Sequence, residues 1–187
     1  MIDTDTGQKI KLPPVICEDT RQQPGKHGNV KAFCDLVGIR IVRTKLTVGD
    51  YTLPTNQSIC VDTKYGLQEV YGNLVQDHER FRRECVLAQE LGIRLVVLVE
   101  QGEIRRLDEV HLWQNPRYER YMFLKDAHKR GRFMGTKLPP KAPLDSGRLQ
   151  TMMETMADKY GIEWRFCCKS ETGLRICEIL MGGADEL

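Results

Sequence analysis

Residues 46–100 read LTVGDYTLPTNQSICVDTKYGLQEVYGNLVQDHERFRRECVLAQELGIRLVVLVE, and this stretch decides the fold. Gly49-Asp50 is a turn signal, 51–54 a short extended piece, and Thr55-Asn56 a second turn. SICVDTK, 58–64, follows as a strand. Residues 68–91 read as one long helix: Val70, Leu74, Phe81, Cys85, Ala88 and Leu91 recur near helical spacing, and Gly92 stops them. IRLVVLVE, 93–100, is a continuous apolar run of strand length, the pattern of a strand covered on both faces.

The flanks extend this order. Upstream, PVICED at 14–19 suits a strand, and the loop after it holds Pro24, Gly25 and Gly28. Asn29 is placed to cap a helix over 30–37, with Val30, Phe33, Leu36 and Val37 on one side and Gly38 as its stop. GIRIVRTKL, 38–46, alternates like a strand. Downstream, 147–161 predicts a helix with Leu149, Met152, Met153 and Met156 on its apolar side. A strand over 162–168 comes next, then Ser170 as cap and a final helix over 171–181. The class is α/β: a mixed central sheet flanked by helices.

The chain has 187 residues, 41% of them apolar, enough for one domain with a full core. No run of about 18 apolar residues predicts a membrane span. The polar N-terminus has no apolar core of a signal peptide, so a cytoplasmic protein with no membrane association is expected. Seven scattered cysteines form no CxxC pair, which predicts free structural thiols and no zinc. The four histidines stand in no ligand spacing. The net charge of +2 is an average. Residues 102–147 hold ten Lys and Arg against six acids, a local +4, while the rest nets −2. Trp113, Tyr118, Tyr121, Phe123 and Phe133 interleave with that basic stretch. It is either a solvated lobe or a DNA-engaging insertion in which cations meet phosphates and an aromatic stacks on an unpaired base.

The chemistry-bearing group is Asp50 with Asp62-Thr63-Lys64. Residues two apart on a strand share a face, so Asp62 and Lys64 point together. A hairpin would bring Asp50 beside them. Two converging carboxylates suit a hard cation, Mg²⁺ or Mn²⁺. A lysine beside it can orient an attacking water and offset charge on a phosphoryl oxygen. By spacing alone the pair also fits a solvated strand face.

The quoted stretch resembles the nuclease domain of the XPF-type structure-specific endonucleases, of the PD-(D/E)XK, restriction-endonuclease-like superfamily. VICEDTRQQP, 15–24, is similar to that family's opening strand and its Asp-x-Arg-Glu element, and 159–180 to its closing strand and helix. The resemblance covers roughly 14–101 and 148–180, with 102–147 as an insertion in a single nuclease domain and 1–13 as a lead-in. It implies that Asp50 and Asp62 ligate the metal with the Thr63 carbonyl as a third oxygen. It further implies that Lys64 serves the attacking water and that Asp19 acts as the first acid. Arg21 would face a phosphate, and Arg80 would support the site or the scissile strand. Arg83, Arg130 and Arg132 complete the DNA-binding candidates. Four positions depart from the pattern: Asp62 replaces a glutamate, Thr63 an arginine, Gln22 an acid, and Gln68, beside Glu69, the late aspartate.

The expected function is a Mg²⁺- or Mn²⁺-dependent DNA endonuclease. The resemblance implies branched or flap DNA as substrate and a setting in DNA repair or recombination. It also implies a homodimer or a protein partner, and a bacterial or phage source suits a short chain. Two alternatives stay open: a catalytically weakened DNA-binding or scaffold module, and a junction-resolvase or restriction-type nuclease on the same core.

Overall fold

The run at 93–100 forms an interior strand of a six-stranded sheet, with a parallel neighbour on each side. Its alternate side chains feed two separate cores: Leu95, Val97 and Val99 on one face, Val96 and Leu98 on the other. Such a strand must be covered on both sides, and it is. The structure is a computed structural model that describes residues 11–22, 25, 28–132, 135 and 137–182.

The elements are β1 (Val15–Asp19), α1 (Gly28–Val37), β2 (Arg40–Thr44), β3 (Tyr51–Leu53), β4 (Asn56–Lys64), α2 (Leu67–Val75), α3 (His78–Glu90), β5 (Arg94–Glu100), α4 (Pro116–Lys129), α5 (Ser146–Tyr160), β6 (Glu163–Cys167) and α6 (Thr172–Leu180). A 3₁₀ turn, Leu107–Leu112, precedes α4. The strand order is β2-β1-β3-β4-β5-β6. The pairs β1–β2, β4–β5 and β5–β6 are parallel, while β3 runs antiparallel to β1 and β4. α1 and α6 cover one face. α2, α3 and α5 cover the other, with Ile104, Val110 and Trp113 from the basic stretch joining that core. This is the mixed sheet between helices that the sequence predicts, with a restriction-endonuclease-like arrangement.

Several local expectations change. The helix predicted over 68–91 is two helices. The chain turns at Gln76-Asp77, where the Asp77 amide closes back on the Gly72 carbonyl at 3.0 Å and the Asp77 carbonyl then starts α3. Aspartate is a weak interior residue and a good helix opener. The apolar stripe survives the break because both segments press on the same core. Asn29 does not cap α1; its amide donates to Glu100 Oε1 at 3.1 Å and to the Lys169 carbonyl, tying α1 to the end of β5 and to the turn before α6. Leu36 lies on the solvent side of α1, 82% exposed, while Cys34 takes the buried position. α6 starts after Glu171 rather than after Ser170. All seven cysteines are free, and six are buried. No helix among the described residues is long and apolar enough to cross a membrane.

Candidate active site

β3 and β4 form the hairpin, with Tyr51 opposite Val61. Asp50 sits just before β3, its amide donating to the Val61 carbonyl at 2.8 Å. Its own carbonyl accepts the Asp19 amide at 2.8 Å, so β1 and β4 fix its backbone together. Asp62 and Lys64 share one face near the C-terminal end of β4 and form an ion pair there. Both are almost fully buried, at 4% and 7% exposure.

These groups line a cleft of about 380 Å³. Asp19, Arg21, Gln22, Gly49, Asp50, Asp62, Thr63 and Lys64 come from β1, β4 and the turns beside them, Glu69 and Asn73 from α2, and Arg80 and Glu84 from α3. The carboxylate of Asp50 accepts two hydrogen bonds at Oδ2 from Thr63, one from the amide at 2.8 Å and one from the hydroxyl at 2.6 Å. Gln22 Nε2 donates to the same hydroxyl at 3.4 Å. The residues at two departing positions, Gln22 and Thr63, therefore meet each other, and Thr63 in turn holds Asp50.

Asp19 is buried and engaged. Arg21 donates to Asp19 Oδ1 through its amide at 2.6 Å, and through Nε to both carboxylate oxygens at 3.0 Å. The Leu46 amide adds a bond at 3.3 Å. Burial pulls the Asp19 carboxyl upward, but the hydrogen bonds and charge of Arg21, with the Leu46 amide, hold it below the usual value of 3.8. Burial pushes Asp62 the other way, up to about 7. Lys64 opposes that rise, and the charges of Asp50 and Glu84 add to it. Burial also works against the Lys64 cation, yet Asp62 and Asp50 together raise its pKa. Its ammonium lies over the Phe81 ring, 5.7 Å from the centroid.

The floor of the cleft therefore carries more anionic than cationic groups. Among the described residues no three His, Cys, Asp or Glu side chains stand close enough to enclose a metal by themselves. The donor set is still chemically suited to a small hard cation. Mg²⁺ is held in many sites by one or two carboxylates and completes its shell with water. Asp62 Oδ2 is buried and, among the described residues, has no hydrogen-bond partner beside its ion pair with the Lys64 ammonium. Asp50, Asp62 and a strand carbonyl are all hard oxygen donors, so the residues present fit such an ion.

Seven sequence-identified residues line this one cleft: Asp19, Arg21, Asp50, Asp62, Thr63, Lys64 and Arg80. Arg80 is exposed toward solvent, and its guanidinium donates to Asn73 Oδ1 at 3.0 Å. Arg83, Arg130 and Arg132 are exposed and lie outside the cleft lining. Arg130, at the end of α4, pairs with Asp126. Glu18 points to the opposite face of β1, where it meets Tyr51 and Arg43, and so does not join the site. Glu84 and Asn73 went unread in the sequence, and Glu69 entered only as a neighbour of Gln68. Spacing on α3 held a signal, since Glu84 follows Arg80 by one turn.

The start of α4 packs against α2. Gln68 Nε2 donates to Asn115 Oδ1 at 3.2 Å, and the Arg117 guanidinium lies 5.3 Å from the centre of the Tyr71 ring. α2 thus contacts the basic helix through Gln68 and Tyr71 and the cleft through Glu69 and Asn73.

No family model matches the chain, and no curated protein sequence matches it. Solved structures do. XPF from Aeropyrum pernix is similar with a TM-score of 0.56 and 18% identity, over 89% of this chain and 63% of that one. XPF from Aeropyrum pernix in complex with DNA gives a TM-score of 0.55 at 18% identity, over 90% and 64%. The chain thus spans a little under two thirds of the length of these solved chains. Together with the sheet order and the helices on both faces, this likeness gives the chain the fold of an XPF-type nuclease domain.

Proposed function

We propose that this chain is a divalent-metal-dependent DNA endonuclease, hydrolysing a phosphodiester at a branch or flap. The observation that carries the reading is the gathering of Asp50, Asp62 and Lys64 on the floor of one cleft whose lining also includes Arg21 and Arg80. Asp50 and Asp62, with the Thr63 carbonyl, would hold Mg²⁺ or Mn²⁺. A bound cation would supply Lewis acidity toward the phosphate and lower the pKa of water.

The residues of the chain do the rest. Thr63 holds the Asp50 carboxylate in one orientation. Lys64, kept cationic by Asp62, directs an attacking water and offsets charge developing on the phosphoryl oxygens. Arg80 at the cleft and the arginines outside it, Arg83, Arg130 and Arg132, hold the backbone phosphates. Asp19 supports the site through Arg21. The fold shared with an XPF solved on DNA supports nucleic acid as the ligand. A setting in repair or recombination, and pairing with a second copy, belong to the same proposal.

The test is incubation of end-labelled flap, fork, four-way junction and plain duplex DNA with Mg²⁺. Cleavage concentrated at the branch supports the reading, and equal cleavage of plain duplex defeats its structure-specific part. A second reading, a DNA-binding module without cleavage, is favoured by one contact. Asp19 is committed to Arg21. Tight DNA binding with no product under any divalent metal would select that reading.

A further inference from the structure

α3 sends two side chains into the cleft one turn apart, Arg80 and Glu84. Glu84 has no part in the reaction as proposed. Its Oε1 accepts the amide N–H of Gly49 at 2.9 Å, a contact that joins residues 35 apart in sequence. Gly49 is buried and has a left-handed φ of 69°. A Cβ there would stand 3.1 Å from the Val61 carbonyl oxygen and 3.2 Å from Cys60 Cβ. The turn is thus pressed against β4 on one side, and Glu84 takes hold of its amide from α3. The next residue is Asp50.

We infer that Glu84 is a positioning residue that fixes the Gly49 turn and, through it, the direction of the Asp50 carboxylate. Its consequence for turnover rests on the nuclease reading above; its consequence for the turn rests on the geometry alone. α3 braces the site at two points. Phe81 lies under the Lys64 ammonium, and Glu84 holds the turn before Asp50. A shift of this helix therefore displaces both groups. The bond needs an acceptor at the reach of glutamate, not a negative charge as such: a glutamine oxygen accepts the same N–H. Alanine leaves a buried donor without a partner.

The experiment compares Glu84→Ala, Glu84→Gln and Glu84→Asp in the full chain by amide hydrogen exchange at Gly49 and by steady-state cleavage of flap DNA. Exchange at Gly49 is expected to speed up about tenfold or more in Glu84→Ala and Glu84→Asp, and to stay as in the wild type in Glu84→Gln. In Glu84→Ala, kcat is expected to fall about ten- to a hundredfold with KM little changed, and Glu84→Gln restores most of it. Unchanged Gly49 exchange in a folded Glu84→Ala or Glu84→Asp variant would overturn the inference. Equal loss of kcat in Glu84→Gln and Glu84→Ala would overturn it too, by assigning the effect to charge. If the wild type cleaves no DNA, the nuclease reading fails, and the exchange result still decides the role of Glu84.

Discussion

Thr63 gives both its amide and its hydroxyl to one oxygen of Asp50, at 2.8 and 2.6 Å. A carboxylate pinned this way cannot rotate without losing two bonds, one of them to a strand amide. Thr63→Val keeps the shape and the amide and removes the hydroxyl. The variant is expected to lose about 1 kcal/mol of stability, the net worth of one hydrogen bond. Its kcat on flap DNA is expected to fall while DNA affinity stays unchanged. Denaturant titration and single-turnover cleavage check this; full activity in Thr63→Val would mean that the amide alone orients Asp50.

Removing the buried ammonium of Lys64 has a pH signature. Lys64→Met leaves Asp62 buried without its counter-charge, and breaking a buried pair from one side costs about 3–5 kcal/mol. The native Asp62 carboxyl already stands well above its ordinary 3.8, chiefly through burial, and losing Lys64 raises it further. Between those values the native state binds more protons than the unfolded state, so stability falls as pH rises. Urea titrations are expected to find a larger deficit for Lys64→Met at pH 8 than at pH 5. An equal deficit at both would contradict the buried pair.

In the proposed reaction the same carboxyl sets the acid side of activity. Only ionised Asp62 can ligate a cation, so cleavage is expected to decline as pH falls through about 7. A divalent cation stabilises the carboxylate form and competes with the proton. Raising the Mg²⁺ concentration is therefore expected to move the acid limb of the pH–rate profile to lower pH. A limb that ignores Mg²⁺ would separate Asp62 from the metal.

The exposed arginines act differently from the buried pair. Arg80→Ala, Arg130→Ala and Arg132→Ala are expected to weaken DNA binding without changing thermal stability, since all three are exposed. Each true phosphate contact removed lowers the slope of log K against log salt by about one. Binding titrations across a salt series measure that slope. Arg130 is ion-paired with Asp126 at 3.0 Å, closer than the 4.0 Å between Arg80 and Asp77, so its change is expected to be smaller than that of Arg80.

What the sequence exposed, and what it hid, follows from range. Asp62 and Lys64 were legible because strand period is local: two residues apart means one face. The apolar run at 93–100 likewise announced a strand buried on both sides, and Val96 and Val97 indeed enter opposite cores. The break between α2 and α3 was hidden because the apolar spacing from Leu74 to Phe81 continues through it. Glu84 was hidden because its partner, Gly49, is distant in sequence and meets it only through the packing of α3. Gln22 and Thr63 stood out as separate departures from a pattern. Folding places them in contact, and Thr63 in turn bonds Asp50.

In the proposed reaction Asp50 and Asp62 are the metal-holding acids of a DNA-cleaving site. The most direct measurement is Mg²⁺-dependent cleavage of a labelled flap by the wild type, Asp50→Asn and Asp62→Asn, with folding checked by circular dichroism. The wild type is expected to cleave until the metal is chelated, and each folded variant to lose activity on the order of 10²-fold or more. Wild-type rates in either variant, or cleavage that persists under chelation, would contradict that metal-holding role.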